Sequence, residues 1–254
     1  MTGCNPCATP MEERLKLLKE GSSPAVNATE YRSEIGSLRY LCNSRPDLAY
    51  AVGYLSRFME APRQEHLAAV KRVLRYVAGT LNWGVHYHPG GKKQGPPEPL
   101  GYSDSDLAGD VNDRKSTSGL IFFLSGGPVA WQSAKQRVVA LSSCEAEYIA
   151  AAGAACEAVW LARLLAELTG GAVLAPKLKV DNKSAIALMK NPGHHDRSKH
   201  IDVKFHFIQE CCDMKLIDVE FVGTVMQLSD ILTKALGRVR FQELRDGIGM
   251  KKII

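Results

Sequence analysis

Cysteine is too sparse in this chain, and too irregularly spaced, to serve as a disulfide framework: there are seven in 254 residues. Secreted scaffolds that depend on disulfides carry them far more densely, so these cysteines read as free thiols in a reducing compartment. Cys4 and Cys7 form a lone C-x-x-C, and no second pair at zinc-ligand spacing follows. His195, His200, Cys211 and Cys212 offer two histidines and two cysteines. Adjacent cysteines fit poorly around one tetrahedral ion, though, so a structural zinc site is not expected. Residues 1–10 are polar, without the apolar core of a secretory leader. Apolar stretches such as 150–155 fall short of a membrane span. Internal repeats are absent too. These absences argue against secreted, membrane-spanning and repeat classes and favour an intracellular soluble protein.

What remains is the composition of a globular chain, 45% hydrophobic and 23% charged, with a formal net charge of +5. That mild surplus permits nucleic-acid binding without requiring it. One break divides the sequence. Residues 89–99 hold four prolines and three glycines, which sustain neither a helix nor a central strand. They read as a linker between a helical segment, 1–88, and an α/β domain, 100–236, followed by a helical tail, 237–254. In the first part, apolar spacing predicts helices over 31–42, 46–59 and 62–79. Lys71, Arg72 and Arg75 lie on or beside the outer face of the third, where a solvated basic face is the ordinary reading. In the second part, strands are expected at 100–104, 119–124 and 129–131. A long helix over 143–168 comes next, closed by Gly170-Gly171. A strand at 178–180, helices at 184–190 and 204–215, a strand at 219–222 and a helix at 228–236 complete the order. Antiparallel hairpins joined to a parallel crossover indicate a layered α/β fold.

Four acidic residues fall where chemistry would want them. Asp104 and Asp181 close strands, Glu147 lies in the first turns of the long helix, and Asp230 begins the last helix. Clustered carboxylates repel, and one takes up a proton unless a cation compensates. Magnesium suits such a set because it prefers hard oxygen ligands. Two such ions about 4 Å apart can activate water and stabilise the leaving oxygen of a phosphodiester. A nuclease is therefore the natural reading of the set. Singly, each aspartate could instead be a turn former or helix cap. Ser142-Ser143-Cys144-Glu145 is a capping box, and Glu147 lies about 200° further round the helix than Glu145. Glu145 is thus assigned to the cap and Glu147 to metal. Asp106 shares a strand face with Asp104, and period two alone does not choose between them. Asp110 and Asp113 read as solvated loop residues.

These segments resemble a known family. Tyr102-Ser103-Asp104-Ser105-Asp106-Leu107-Ala108-Gly109-Asp110, Ala140-Leu141-Ser142-Ser143-Cys144-Glu145-Ala146-Glu147-Tyr148 and Val180-Asp181-Asn182-Lys183-Ser184-Ala185 are similar in order and spacing to the ribonuclease H region of copia-type LTR retrotransposon polyproteins. So are Arg197-Ser198-Lys199-His200-Ile201-Asp202 and Gln227-Leu228-Ser229-Asp230-Ile231-Leu232-Thr233-Lys234. Ahead of the linker, Glu30-Tyr31-Arg32-Ser33-Glu34-Ile35 and Lys71-Arg72-Val73-Leu74-Arg75-Tyr76 resemble the thumb and connection of a reverse transcriptase. The resemblance implies a ribonuclease H-like fold, a five-stranded mixed sheet flanked by helices, behind that helical segment. Its acidic tetrad falls on Asp104, Glu147, Asp181 and Asp230, which would be both catalytic residues and metal ligands.

The implied activity is hydrolysis of the RNA strand of an RNA–DNA hybrid with two Mg2+ ions, Mn2+ being an acceptable substitute. Lys71, Arg72, Arg75, Lys183, Arg197, Lys199 and His200 are the expected contacts to the hybrid. The palm's tyrosine-x-aspartate-aspartate motif is absent, so the further partner implied is a reverse transcriptase palm and fingers, with no membrane. The implied location is cytoplasmic, within a virus-like particle, or nuclear. Leu107 stands where the family usually has tryptophan, and 222–226 replaces a more polar turn. The histidine that cellular relatives place near that turn has no counterpart, and His194, His195 and His200 read as surface or capping residues. The rival reading is a catalytically inactive or domesticated fragment acting as a nucleic-acid-binding or structural module. An integrase-type transferase on the same fold fits less well.

Overall fold

A computed structural model describes residues 3–87, 98–190 and 199–253, with the side chains of 199–205 outside that description. Most of the proposed linker, and Arg197, His194 and His195, lie outside the described residues, as do the side chains of Lys199 and His200. The chain opens with three helices, α1 (Ala28–Leu41), α2 (Ala49–Leu55) and α3 (Gln64–Gly79). Asn27 starts α1 by accepting hydrogen bonds from the Thr29 and Glu30 amides. The helix expected over 46–59 is α2 flanked by two short 3-10 turns.

Five strands form one mixed sheet: β2 (Leu100–Ser105), β3 (Thr117–Leu124), β4 (Gly127–Lys135), β5 (Lys177–Val180) and β6 (Asp218–Phe221), in the order β4-β3-β2-β5-β6. The first three pair antiparallel, whereas β5 pairs parallel with both β2 and β6. The antiparallel hairpin between β3 and β4 turns through Ser125 and Gly126, both at positive φ, as a tight two-residue hairpin requires. The parallel crossovers use α4 (Ser143–Thr169), α5 (Lys183–Lys190) and α6 (Lys199–Asp213). This is the ribonuclease H-like sheet and helix arrangement expected from the motifs.

Strand β3 shows how the sheet serves two cores. Leu120 and Phe122 face α4, α5 and α6, while Ile121 and Phe123 face the amino-terminal helices. Alternation along a strand sends successive side chains to opposite faces, and here both faces are apolar because both are covered. On the first face α4 presents Ala151, Ala154, Ala155, Ala158 and Ala162, all buried, at the spacing of one helical stripe. Small side chains let the helix lie close to the sheet. Ala155→Leu should therefore overpack this contact and cost about 1–3 kcal/mol in urea unfolding; an unchanged midpoint would mean the helix has room to spare. By length and composition α4 is also apolar enough to cross a membrane, contrary to the expectation from shorter stretches, but half of its most apolar window is buried inside the protein. It is a core helix.

The second face corrects the simple division at the linker. Tyr31, Ile35, Leu48, Leu55, Val70 and Tyr76 join Tyr102, Ile121, Phe123 and Leu232 in one apolar cluster, so residues on both sides of the linker share a core. The tail over 237–254 is helical only in α7 (Arg238–Gly247). It ends in β7 (Met250–Lys252), which pairs antiparallel with β1 (Trp83–Val85) just ahead of the linker. Both strands are too short to show a periodicity. Residues 228–236 likewise form a 3-10 turn at Leu228–Leu232 in place of the expected helix.

Asp110 is a further correction. It is buried, not solvated, and pairs with Arg57 at 3.1 Å and with Lys135. Burial alone would raise its carboxyl, but the Lys135 and Asn112 hydrogen bonds hold it well below the usual range. It clamps the helical segment to β4 through charges that no local pattern reveals. Asp113 is exposed, as expected, and reaches Lys135 at 2.8 Å.

Candidate active site

The cap and the candidate ligand of α4 separate as their spacing required. Ser142 Oγ accepts from the Glu145 amide at 3.2 Å, and Glu145 Oε2 accepts from the Leu141 amide at 2.9 Å. That holds Glu145 in the cap. Glu147 points to the end of β2, where its Oε1 accepts from the Ser105 amide at 3.0 Å. Asp104 follows Tyr102 by two and so leaves β2 on the opposite face from α4. There it accepts from Thr233 Oγ1. The two carboxylates approach the same point from opposite sides of the sheet. Asp106, on the same face, differs in its bonding: its Oδ1 accepts from the Thr117 amide and closes the ladder.

Asp104, Glu147 and Asp181 each offer an oxygen, and these oxygens lie within 4.8 Å of one another. Asp181 is half-buried just past β5, accepting from Thr224 Oγ1 at 3.3 Å. Asp230 is not among the three. It adjoins them through Lys234, whose Nζ is 2.7 Å from Asp230 Oδ1 and 3.5 Å from Asp104 Oδ2. Arg240 of α7 reaches the other Asp230 oxygen at 3.5 Å.

Three devices hold this arrangement. Gln136 Nε2 lies within 3.1 Å of Ser105 Oγ, Ser118 Oγ and the Ala146 carbonyl, tying β2 and β3 to the start of α4. Gln227 donates to the Ser103 carbonyl at 2.8 Å and accepts from Ser229 Oγ at 2.8 Å, fastening the turn that carries Asp230. Gly119, opposite Asp104 in the ladder, leaves room for that turn: a Cβ there would stand 2.7 Å from Thr233 Cγ2 and 2.8 Å from Leu232 Cβ. Residue spacing did not reveal Gln136, Gln227, Arg240 or Lys234 as site residues. For Lys234 a signal existed, because it lies four residues after Asp230, a spacing that brings side chains together on one face.

The electrostatics are those of crowded acid. Burial, with Asp104 and Asp181 nearby, pushes the Glu147 carboxyl up to about 9. Burial raises Asp104 to about 6 against the pull of Lys234, and Asp181 is raised by burial and by Asp230. Burial would lower Lys234, but Asp104 and Asp230 keep it well above its ordinary value. A cation fits this set. The donors are hard oxygens, and Glu147 Oε2 is buried with no hydrogen-bond partner, an arrangement that costs free energy unless a donor or a cation meets it.

No family model matches the chain. Across its whole length, however, it is 42% identical over 253 residues to the Retrovirus-related Pol polyprotein from transposon RE1 of Arabidopsis thaliana. It is 40% identical over 259 residues, 98% of the chain, to that from transposon TNT 1-94 of Nicotiana tabacum. The chain belongs to the copia-type, retrovirus-related Pol polyproteins. This Pol segment spans 17% and 19% of the length of those two relatives. In fold it is similar to the foamy viral protease-reverse transcriptase in complex with RNA/DNA hybrid, with a TM-score of 0.53 at 15% identity. The likeness covers 80% of the Pol segment and 26% of that chain, more than the sheet and its helices alone supply.

Among the described residues, the basic side chains named from sequence do not converge. Lys183 is exposed at the start of α5, two residues past Asp181, with its ammonium 4.8 Å from the Phe221 ring centroid. Lys71 is exposed and Arg75 half-buried on α3, which packs on the sheet face away from α4. Arg72 is committed within the Pol segment, paired with Glu12 at 2.9 Å and hydrogen-bonded to Thr9. Leu107 is half exposed beside the cluster's first strand.

Proposed function

We propose that this Pol segment hydrolyses the RNA strand of RNA–DNA hybrids in a magnesium-dependent reaction, with manganese an acceptable substitute. The observation that carries the reading is the close group of Asp104, Glu147 and Asp181, in which one Glu147 oxygen is buried without a hydrogen-bond partner. The membership of Pol polyproteins and the ribonuclease H-like fold support it. Asp104, Glu147 and Asp181 would hold one ion, and Asp104 with Asp230 would complete the place of a second. Bound there, divalent cations supply an activated water and neutralise charge on the leaving oxygen.

The chain's own contributions are position and charge. Ser105 orients Glu147, Thr233 orients Asp104 and Thr224 orients Asp181. The raised carboxyls must shed protons to ligate, so binding of the ion releases protons and strengthens as pH rises. Lys183, two residues past Asp181, would meet a phosphate; Lys71, Arg75, Arg197, Lys199 and His200 would extend the contact along the backbone. Affinity should then fall steeply with salt. The 2′-hydroxyl is the group by which the site would tell RNA from DNA. The reverse transcriptase palm and fingers would be the natural partner.

A labelled RNA–DNA hybrid tests this directly. The purified chain should cut the RNA strand in Mg2+ or Mn2+ and not in chelator. Asp181→Asn should lower cleavage at least about a hundredfold, since even loss of a residue that merely orients a ligand costs up to about that much, while far-UV circular dichroism stays unchanged. A chain that binds hybrid in either metal but never cuts it would sink the nuclease reading and leave a binding module in its place.

A further inference from the structure

Lys234 is a cation inside a site that should be built to receive cations, and hydrolysis as proposed gives it no role. Its Nζ lies 2.7 Å from Asp230 Oδ1 and 3.5 Å from Asp104 Oδ2. Those two carboxylates come from different parts of the chain, one at the end of β2 and the other on the 3-10 turn. Gly119 and Gln227 bring the two elements together. The ammonium is thus held between two converging carboxylates, not on a loose surface pair.

Asp104 is shared between two positions for positive charge. One is ringed by Asp104, Glu147 and Asp181, where Glu147 Oε2 has no hydrogen-bond partner. The other lies between Asp104 and Asp230 and holds the Lys234 ammonium. Arg240 takes the remaining Asp230 oxygen at 3.5 Å, and so turns Oδ1 toward the lysine. Four carboxylates this close cannot all stay ionised without compensation. A lysine suits that task, since an ammonium is a compact charge on a flexible stem. The side chain is 41% exposed, so an outward swing returns it to water without opening the core.

We propose that Lys234 is a tethered stand-in for the second divalent cation, filling the position between Asp104 and Asp230 until an ion displaces it. The proposal rests on reading the carboxylate cluster as a metal centre. The two positions are then unequal: the first binds an ion directly, and the second binds one only in competition with the chain's own charge. Asp230 becomes the residue that positions the lysine in the metal-free protein and a ligand only after exchange.

Calorimetric titration of the whole chain with Mn2+, without nucleic acid, distinguishes the outcomes. Wild type should bind one ion, with a second only at much higher concentration. Lys234→Met should strengthen the second step by about tenfold, because an ion pair no longer has to be broken. Lys234→Gln should do the same, which guards against a folding defect in either variant. Adding Asp230→Asn to Lys234→Met should remove the second step again. Titrations of wild type and both variants that superimpose would overturn the proposal, as would wild type filling two equal sites. Absence of Mn2+ binding in every form would instead bring down the metal-centre reading, and this inference with it.

Discussion

Glu147→Gln should reduce hybrid cleavage at least about a hundredfold and, in chelator, make the protein more stable above neutral pH. Both effects follow from one arrangement. Glu147 is 5% exposed, one of its oxygens is held by the Ser105 amide, and the other has no partner. A glutamine keeps the shape and removes the charge that a cation needs. In the metal-free protein that same charge is a liability. Burial and the neighbouring Asp104 and Asp181 carboxylates raise the Glu147 carboxyl from 4.5 to about 9. An acid raised on folding contributes stability that is fully present below its unfolded value and lost as pH rises through the folded one. The loss in wild type should therefore run between about pH 4.5 and about pH 9, and Glu147→Gln should flatten that part of the profile. Thermal melts in chelator at pH 5 and pH 8.5 measure it. A variant with the same slope as wild type would show that Glu147 is not the group responsible, and one that still cleaves at full rate would remove it from the site.

Asp47→Ala should unfold the helical segment more readily than any surface substitution, by about 3–5 kcal/mol. Asp47 is buried, and its two oxygens accept from Arg45 Nε at 2.9 Å and Nη2 at 2.7 Å, while Tyr76 donates its hydroxyl at 2.7 Å. Arg45 also donates to the Thr80 carbonyl at 3.1 Å, so the network ties the turn before α2 to the end of α3. Removing Asp47 leaves the Arg45 charge buried without a counter-charge, which costs far more than an exposed ion pair is worth. Because Tyr76 and Phe241 of α7 meet edge to face, the loosening should reach the carboxyl-terminal helix that carries Arg240. Urea unfolding with a paired Arg45→Met, Asp47→Leu variant separates charge from packing: the pair should recover most of the loss. A single-site cost below about 1 kcal/mol would place this pair with ordinary surface bridges.

Much of the sheet was legible because its signals are local. Strand 119–124 carries a dense apolar run, the long helix has a capping box at one end and Gly170 at positive φ at the other, and the acids stand at element ends. The pairing of β1 with β7 was not legible, since neither three-residue strand has a pattern of its own until the other lies beside it. Asp110 was misread for a related reason. Its neighbours in sequence are polar, and its partners Arg57 and Lys135 come from elsewhere in the chain.

The order of the five sheet strands and of the helices between them, the family resemblance and four acidic candidates were legible in the sequence alone, because periodicity, caps and motif spacing act over a few residues. Only the tertiary structure decided how those acids divide. Three of them meet at the end of β2, reached from both faces of the sheet, and the fourth is held off by a lysine. That division depends on Gly119, whose lack of a side chain leaves room for the turn, and on Gln136 and Gln227, whose amides bridge segments far apart in the chain. Distance in space between residues far apart in the chain is a property of packing, and no short window of sequence contains it.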